Sequence, residues 1–523
     1  MKSTSSLSLI AGTVALAAVT GFAVLTAPGD GDTAEAATAA RLPVERSTLL
    51  CPAPGLSELS ETTYTSFTPA GDGAGEAGTA ELTPTTTSEI TDDDGDGEGD
   101  KKDDKDKKKD DKKDDKKDDK KADAGKPVVA LKEPGKPAVA EESGADTPAL
   151  VGTATGRLAP GWTAQQTTMV EAGEGRGLLG VSCTVPDTDF WFPAASTAKS
   201  RQDYVHLTNP DDTAAVADIE LYGPEGSLKS EVGEGITVPA RSSVPVLIST
   251  LTSEAVDDVT VHVTTRTGRV GAVVRAADDK TGSDWLAAST APTGTLVMPG
   301  IPDDATSVRL VAFAPGDDDA DLKVKLLGKT GAITPAGNDG LHVKSQMTAS
   351  LDLKDLTKGE PGSLLLTPEK GGKGTPIVAA LRVVRGSGDK QEVAYIPATG
   401  PVGARGTVAD NRSEGSVLSL TAPGAAATVK VTASAGSGGG EKVVKKYTVK
   451  GSTTLAVVPS APSGLKGGYA LTVETESGGP VHAARTLTVT QGGIKMFTVQ
   501  TLPDDGGTVE VPEAVQDLSV LRD

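Results

Sequence analysis

Between Tyr204 and Arg275 apolar and polar residues alternate with a period of two, and Gly, Pro, Asp or Asn interrupts most of the runs. Tyr204-Val205-His206-Leu207-Thr208-Asn209-Pro210 opens the stretch, Ala217–Pro224 and Ile236–Ala240 follow, and Val259–Thr264 and Gly268–Arg275 close it. A period of two puts one face of each run in water and the other in a core, which is the pattern of antiparallel strands joined by tight turns. About a hundred residues of this kind close naturally as a two-sheet sandwich.

The same landmarks recur. A strand ending in X-Pro reappears as Val308–Pro315 and as Val417–Pro423, each followed by a second alternating run, Asp321–Gly328 and Ala427–Ala433. The closing run returns as Ile377–Arg382 and Val481–Arg485, so that Arg275, Arg382 and Arg485 stand about one sandwich apart. Nearer the N-terminus, Leu49-Leu50-Cys51-Pro52 supplies an opening strand, and Gly177–Cys183 parallels Gly268–Val274. Asp189-Phe190-Trp191-Phe192 parallels Asp284-Trp285-Leu286. The expected fold class is therefore all-β, a tandem array of four immunoglobulin-like β-sandwich repeats in a rod. They are preceded by an N-terminal export or anchor helix, and one charged insert interrupts the first. The expected boundaries are 1–28 for the signal peptide or signal anchor, 29–45 for a linker, 46–198 for unit one, 199–292 for unit two, 293–400 for unit three and 401–523 for unit four with a C-terminal tail.

Composition agrees with several small cores. Of 523 residues 37% are hydrophobic but only 3% aromatic, with 62 Gly and 33 Pro, so the interior must be built from Val, Leu, Ile and Ala. A net charge of −21 excludes a nucleic-acid partner, because no basic stripe exists to neutralise phosphates. After Lys2 the chain runs uncharged from Ser3 to Gly29, and Leu7–Ala27 is apolar enough for export and just long enough to span a bilayer. A cleaved signal and an uncleaved anchor both fit, and both put the bulk of the chain outside the cytoplasm. Cys51 and Cys183 are the only cysteines; in an exported chain, on the first and last strands of one unit, they are expected to form a disulfide.

The insert, residues 91–126, is mostly Asp-Asp-Lys-Lys repeats and has no apolar residue larger than Ala with which to offset ordering entropy, so it is expected to be a disordered loop. Its start resembles a calcium loop by letter: Asp92, Asp94, Asp96 and Asp100 occupy the first, third, fifth and ninth positions. The twelfth is Asp103 instead of a bidentate Glu, and no helices flank it, so the plain reading is the acidic end of a charged loop. No metal and no cofactor are assigned. Gly175-Arg176-Gly177-Leu178-Leu179-Gly180 matches the dinucleotide fingerprint without the strand and helix that fingerprint needs. The histidines, His206, His262, His342 and His482, sit singly in strands and lack zinc spacing.

Leu49–Pro52, the segment Cys183-Thr184-Val185-Pro186-Asp187-Thr188-Asp189-Phe190-Trp191, and Val205–Pro210 resemble an exported family of high-GC Gram-positive bacteria known as a domain of unknown function. The resemblance implies an envelope or secreted location and carries no catalytic residues.

The expected function is non-enzymatic: a cell-envelope or surface protein with a structural or binding role. Its partners would be envelope components or another surface protein, and the membrane itself if the N-terminal segment is uncleaved. The alternative is an accessory module that binds cell-wall glycan or assists glycan assembly, with Phe190, Trp191, Phe192 and Trp285 as stacking groups instead of junction plugs. A second alternative, a glycosidase, needs two carboxylates at catalytic separation in a concave site, and no pair stands out among 72 acidic residues.

Overall fold

The computed structural model describes residues 40–55, 57–71, 76–87, 126–173, 175–230 and 232–511. The expected export or anchor segment, residues 29–39 of the linker, residues 91–125 of the insert and the calcium candidates Asp92, Asp94, Asp96 and Asp100 lie outside them. The described residues are all-β; their only helical turns are three 3₁₀ turns, Gly156–Leu158, Ile248–Thr250 and Gly388–Lys390. No described helix is long and apolar enough to cross a membrane.

The described residues fall into two compact units, 40–43 with 508–511 and 44–507. In the first, Ala40–Pro43 pairs antiparallel with Thr508–Val511.

The second consists of small antiparallel sheets, and eight of them associate as four β-sandwich-like pairs. Residues Asp189 to Leu286 show the plan. In chain order its strands are a (Asp189–Ala195), b (Tyr204–Thr208), c (Ala215–Gly223), c′ (Ile236–Val238), d (Ser242–Leu247), e (Val259–Thr267), f (Gly271–Asp278) and g (Gly282–Leu286). One sheet runs a-e-c-c′, with Gly226–Leu228 also paired to c, and the other d-b-f-g, with Thr86–Thr87 paired parallel to d. Between them lies a core of small aliphatics, among them Val205, Leu207, Ile219, Val261 and Val274. Alternation builds it: in strand c, Ala215, Ala217, Ile219 and Leu221 are buried while Val216, Asp218, Glu220 and Tyr222 point away.

The same orders recur three more times. Strands a and g are Arg46–Cys51 and Gly177–Ser182 in the first pair, Leu296–Ile301 and Glu392–Pro397 in the third, and Gly406–Asn411 and Ile494–Thr501 in the fourth. A bulge bends strand a in pairs two, three and four, between Pro193 and Ala195, Met298 and Ile301, and Val408 and Asn411. Each bulge holds one residue at positive φ: Ala194 at 81°, Gly300 at 90° and Asp410 at 52°. A bulge at one position of these three copies re-aims the strand where the next pair docks.

Two expectations need correction. Asp189–Ala195 was placed in unit one, ending at 198, but it pairs with Val259–Thr267 and so opens the second sheet pair. The pairs also do not form an open rod. Within residues 44–507, the a-e-c-c′ sheet of each pair packs on the d-b-f-g sheet of the next, and that of the fourth returns to the first. Phe67 of the first pair buries against Ala409 and Ala470 of the fourth, and Leu178 against Leu487 and Met496. The circuit is closed because each sheet is apolar on both faces over part of its length, and a fourth pair left open would expose one such face.

Candidate functional site

The four g strands meet one another in turn, first with second, second with third, third with fourth and fourth with first. Where they meet, the interior is polar. Gly180 of the first donates its N–H to Asp284 Oδ1 of the second at 3.0 Å, and Thr498 Oγ1 of the fourth donates to the same oxygen at 3.0 Å. A Cβ at position 180 would collide with Thr498 and Gln500, so glycine is what lets these two strands approach. Asp284 is fully buried. Burial pushes its carboxyl well above the usual range, the hydrogen bonds from Gly180, Trp285 and Thr498 pull it back, and neighbouring Glu392 adds to the rise.

Glu392, on the third g strand, is shut from solvent as well, in a strand buried at every position. Burial lifts its carboxyl to about 7 against the opposing pull of Arg176. Arg176 Nε lies 2.9 Å from Glu392 Oε1, and its Nη2 donates to the Gln391 carbonyl at 2.6 Å. The Arg176 carbonyl in turn accepts from Ser283 N–H at 2.8 Å. All four sheet pairs thus contribute to one polar knot. Its acids are shut from solvent, and the arrangement can hold a proton and pin strands together.

The expected aromatic residues lie at junctions. Phe190 and Phe192 point into the core of pair two, while Trp191 between them points out onto Phe313 and Val378 of pair three. The Trp191 and Phe313 centroids are 5.4 Å apart. On its other side Trp191 stacks on His262, with centroids 3.6 Å apart and planes within 7°. Strand register produces that stack, since Trp191, His262 and Glu220 are neighbours across a, e and c. His262 Nδ1 lies 3.0 Å from Glu220 Oε2 and its Nε2 lies 3.2 Å from Asp189 Oδ1. Carboxylates only accept, so the ring serves both when it carries both protons. Tyr222 donates to the same Glu220 oxygen at 3.0 Å, and burial first, then Glu220, pushes its phenol up to about 12.

Trp285 is buried against Val170, Leu179, Val181 and Val273, between pairs one and two. Sequence reading put it at a position equivalent to Trp191; it is instead on strand g, and Trp191 is on strand a. Both close a junction, by different strands. His206 meets the Trp285 ring edge-on at 5.2 Å, and burial, then Arg275, hold it down to about 3.

Cys51 ends strand a of the first pair and Cys183 follows its strand g; they form a disulfide with Cα atoms 4.4 Å apart. Arg275, Arg382 and Arg485 all lie on strand f. Arg382 reaches across a junction to Asp278 at 3.2 Å. Arg275 lies over the Tyr204 ring at 5.1 Å, and burial lowers its pKa. Arg485 is fully buried, donates to the Ala409 and Asp410 carbonyls, and is held to about 10 chiefly by burial. Junctions in an aliphatic protein also need polar tethers, and the long Arg stem allows one to be buried. Of the other histidines, His342 is exposed beside Asp321 at 2.8 Å, and His482 is buried with its Nδ1 3.0 Å from the Thr399 carbonyl oxygen.

Sequence reading missed Asp284, Glu392 and the buried bidentate pair of Arg201 with Asp203, which also holds the Tyr395 hydroxyl. The one available signal was an acid inside a short strand with no alternation, as in Glu392-Val393-Ala394-Tyr395-Ile396-Pro397.

Fold and site together define an all-β protein whose sandwich-like sheet pairs are tied by buried ion pairs, aromatic plugs and one disulfide. The chain belongs to a family of unknown function, DUF5719, which matches residues 138–460, well over half of its length. No curated protein and no solved structure matches it.

Proposed function

We propose that this is an exported, non-enzymatic protein of the cell envelope or cell surface with a structural or binding role. Its sheet pairs are read as serial sandwiches of immunoglobulin-like build behind an N-terminal export signal or anchor. In that reading the likeness is one of architecture, since the first strand pairs with e instead of b. One observation carries the functional reading: the buried acids and tryptophans with any claim to chemistry are engaged in joining sheet pairs. Asp284 and Glu392 are shut from solvent, and Trp191 and Trp285 are covered by neighbouring pairs, which favours junction plugs over glycan-stacking platforms. The disulfide supports an oxidising compartment.

The test is the mass of the mature protein in membrane and culture-supernatant fractions under non-reducing conditions. An oxidised chain in either fraction is expected, and its mass reports whether the N-terminal segment is cut; a reduced cytoplasmic chain would dismiss the reading. Titration with cell-wall polysaccharide fragments should leave tryptophan fluorescence unchanged at millimolar ligand. A saturable shift would favour the glycan-binding alternative.

A further inference from the structure

The ribbon of Ala40–Pro43 and Thr508–Val511 is apolar on one face and has no cover there among the described residues. Register pairs Leu42 with Val509, and Val511 lies two residues beyond Val509, which puts these three side chains on one side; Arg41 and Glu510, ion-paired at 3.7 Å, take the other. Leu42 is 48% exposed, Val509 47% and Val511 41%. A two-stranded ribbon is at best marginal in water, and one with a bare apolar face needs a third element.

The second strand of the ribbon ends at Val511. The sequence that follows, Pro512-Glu513-Ala514-Val515-Gln516-Asp517-Leu518-Ser519-Val520-Leu521-Arg522-Asp523, puts Ala514, Val515, Leu518 and Leu521 at helical spacing. Pro and Glu at its start and Arg near its end match the polarity of a helix. Three helical turns do not hold alone in water either. We propose that residues 512–523 turn back at Pro512 and seat Val515, Leu518 and Leu521 on Leu42, Val509 and Val511. Two elements that each fail alone then stabilise one another.

Hydrogen exchange read by mass spectrometry on the full-length chain tests this. Leu518→Asp and a deletion of residues 512–523 should each speed amide exchange across 40–43 and 508–511 at least tenfold, while exchange across 44–507 is unchanged. Unaltered exchange in both variants overturns the proposal. Three other results also overturn it, by naming a different occupant. They are protection lost on deleting residues 1–27 but retained in Leu518→Asp, protection seen only with anionic phosphatidylglycerol vesicles, and a wild-type dimer that Leu42→Asp dissociates.

Discussion

At Glu392, burial and an ion pair act in opposite directions, and burial wins. Its carboxyl is raised from the ordinary 4.5 to about 7, so the folded chain keeps a proton that the unfolded chain has released. That stabilisation is fully present below about pH 4.5 and is lost as pH climbs through 7. Asp284 shifts in the same direction for the same cause. His206 works the other way: held neutral down to about 3, it lowers stability as pH falls below the ordinary histidine range. Because these windows overlap, the informative measurement is a difference. Glu392→Gln should match the native chain at pH 5 and exceed it at pH 8 by on the order of 2 kcal/mol in urea melts. An equal offset at both pH values would mean that Arg176 keeps the carboxylate ionised throughout.

At the scale of the strand, legibility followed the alternation. The b, c and f strands of pairs two, three and four are among the runs that the sequence pattern picked out, and the c strands read most plainly because buried and outward residues alternate along them. Landmarks in the first pair were misaligned. Leu49–Pro52 shares an X-Pro ending with the b strands, yet it is strand a, and the b strand there ends in Phe67-Thr68-Pro69. Polar side chains in Ser60–Phe67, such as Thr62, Thr65 and Ser66, are buried, and that erased the pattern. Strands a and g were hard to read for a related reason: they are buried on both faces at junctions, so their residues do not alternate. The site was least legible because an acid such as Asp284 becomes informative only once its neighbours from other pairs are known. The disulfide was legible, since both cysteines flank strands of one pair. It closes a separation of 132 residues. Replacing both cysteines by Ala should therefore lower stability by about 4–5 kcal/mol on the chain-entropy account. Calorimetry that finds no loss would place the constraint in structure persisting in the unfolded state.

At the scale of the molecule, closure changes how the chain should unfold. An open array loses its modules in steps, because each touches only its neighbours and terminal ones fray. In residues 44–507 every sheet pair has two neighbours, and the hydrogen bonds to Asp284 alone join three pairs at once. Scanning calorimetry should show one main transition, with van't Hoff and calorimetric enthalpies in agreement, and resolved steps would mean that the contact between first and last pairs is weak.

The body also begins and finishes at one place: Val44 donates its N–H to the Gly507 carbonyl at 3.1 Å. The order in which the sheet pairs are threaded is thus incidental to how they fit. A chain with a short Gly-Ser bridge from 507 back to 44, cut open between exposed Gly371 and Gly372, where added atoms would meet nothing, should reach the same fold. Matching backbone amide spectra for the native and rethreaded chains would show that any point on the circuit can serve as its beginning.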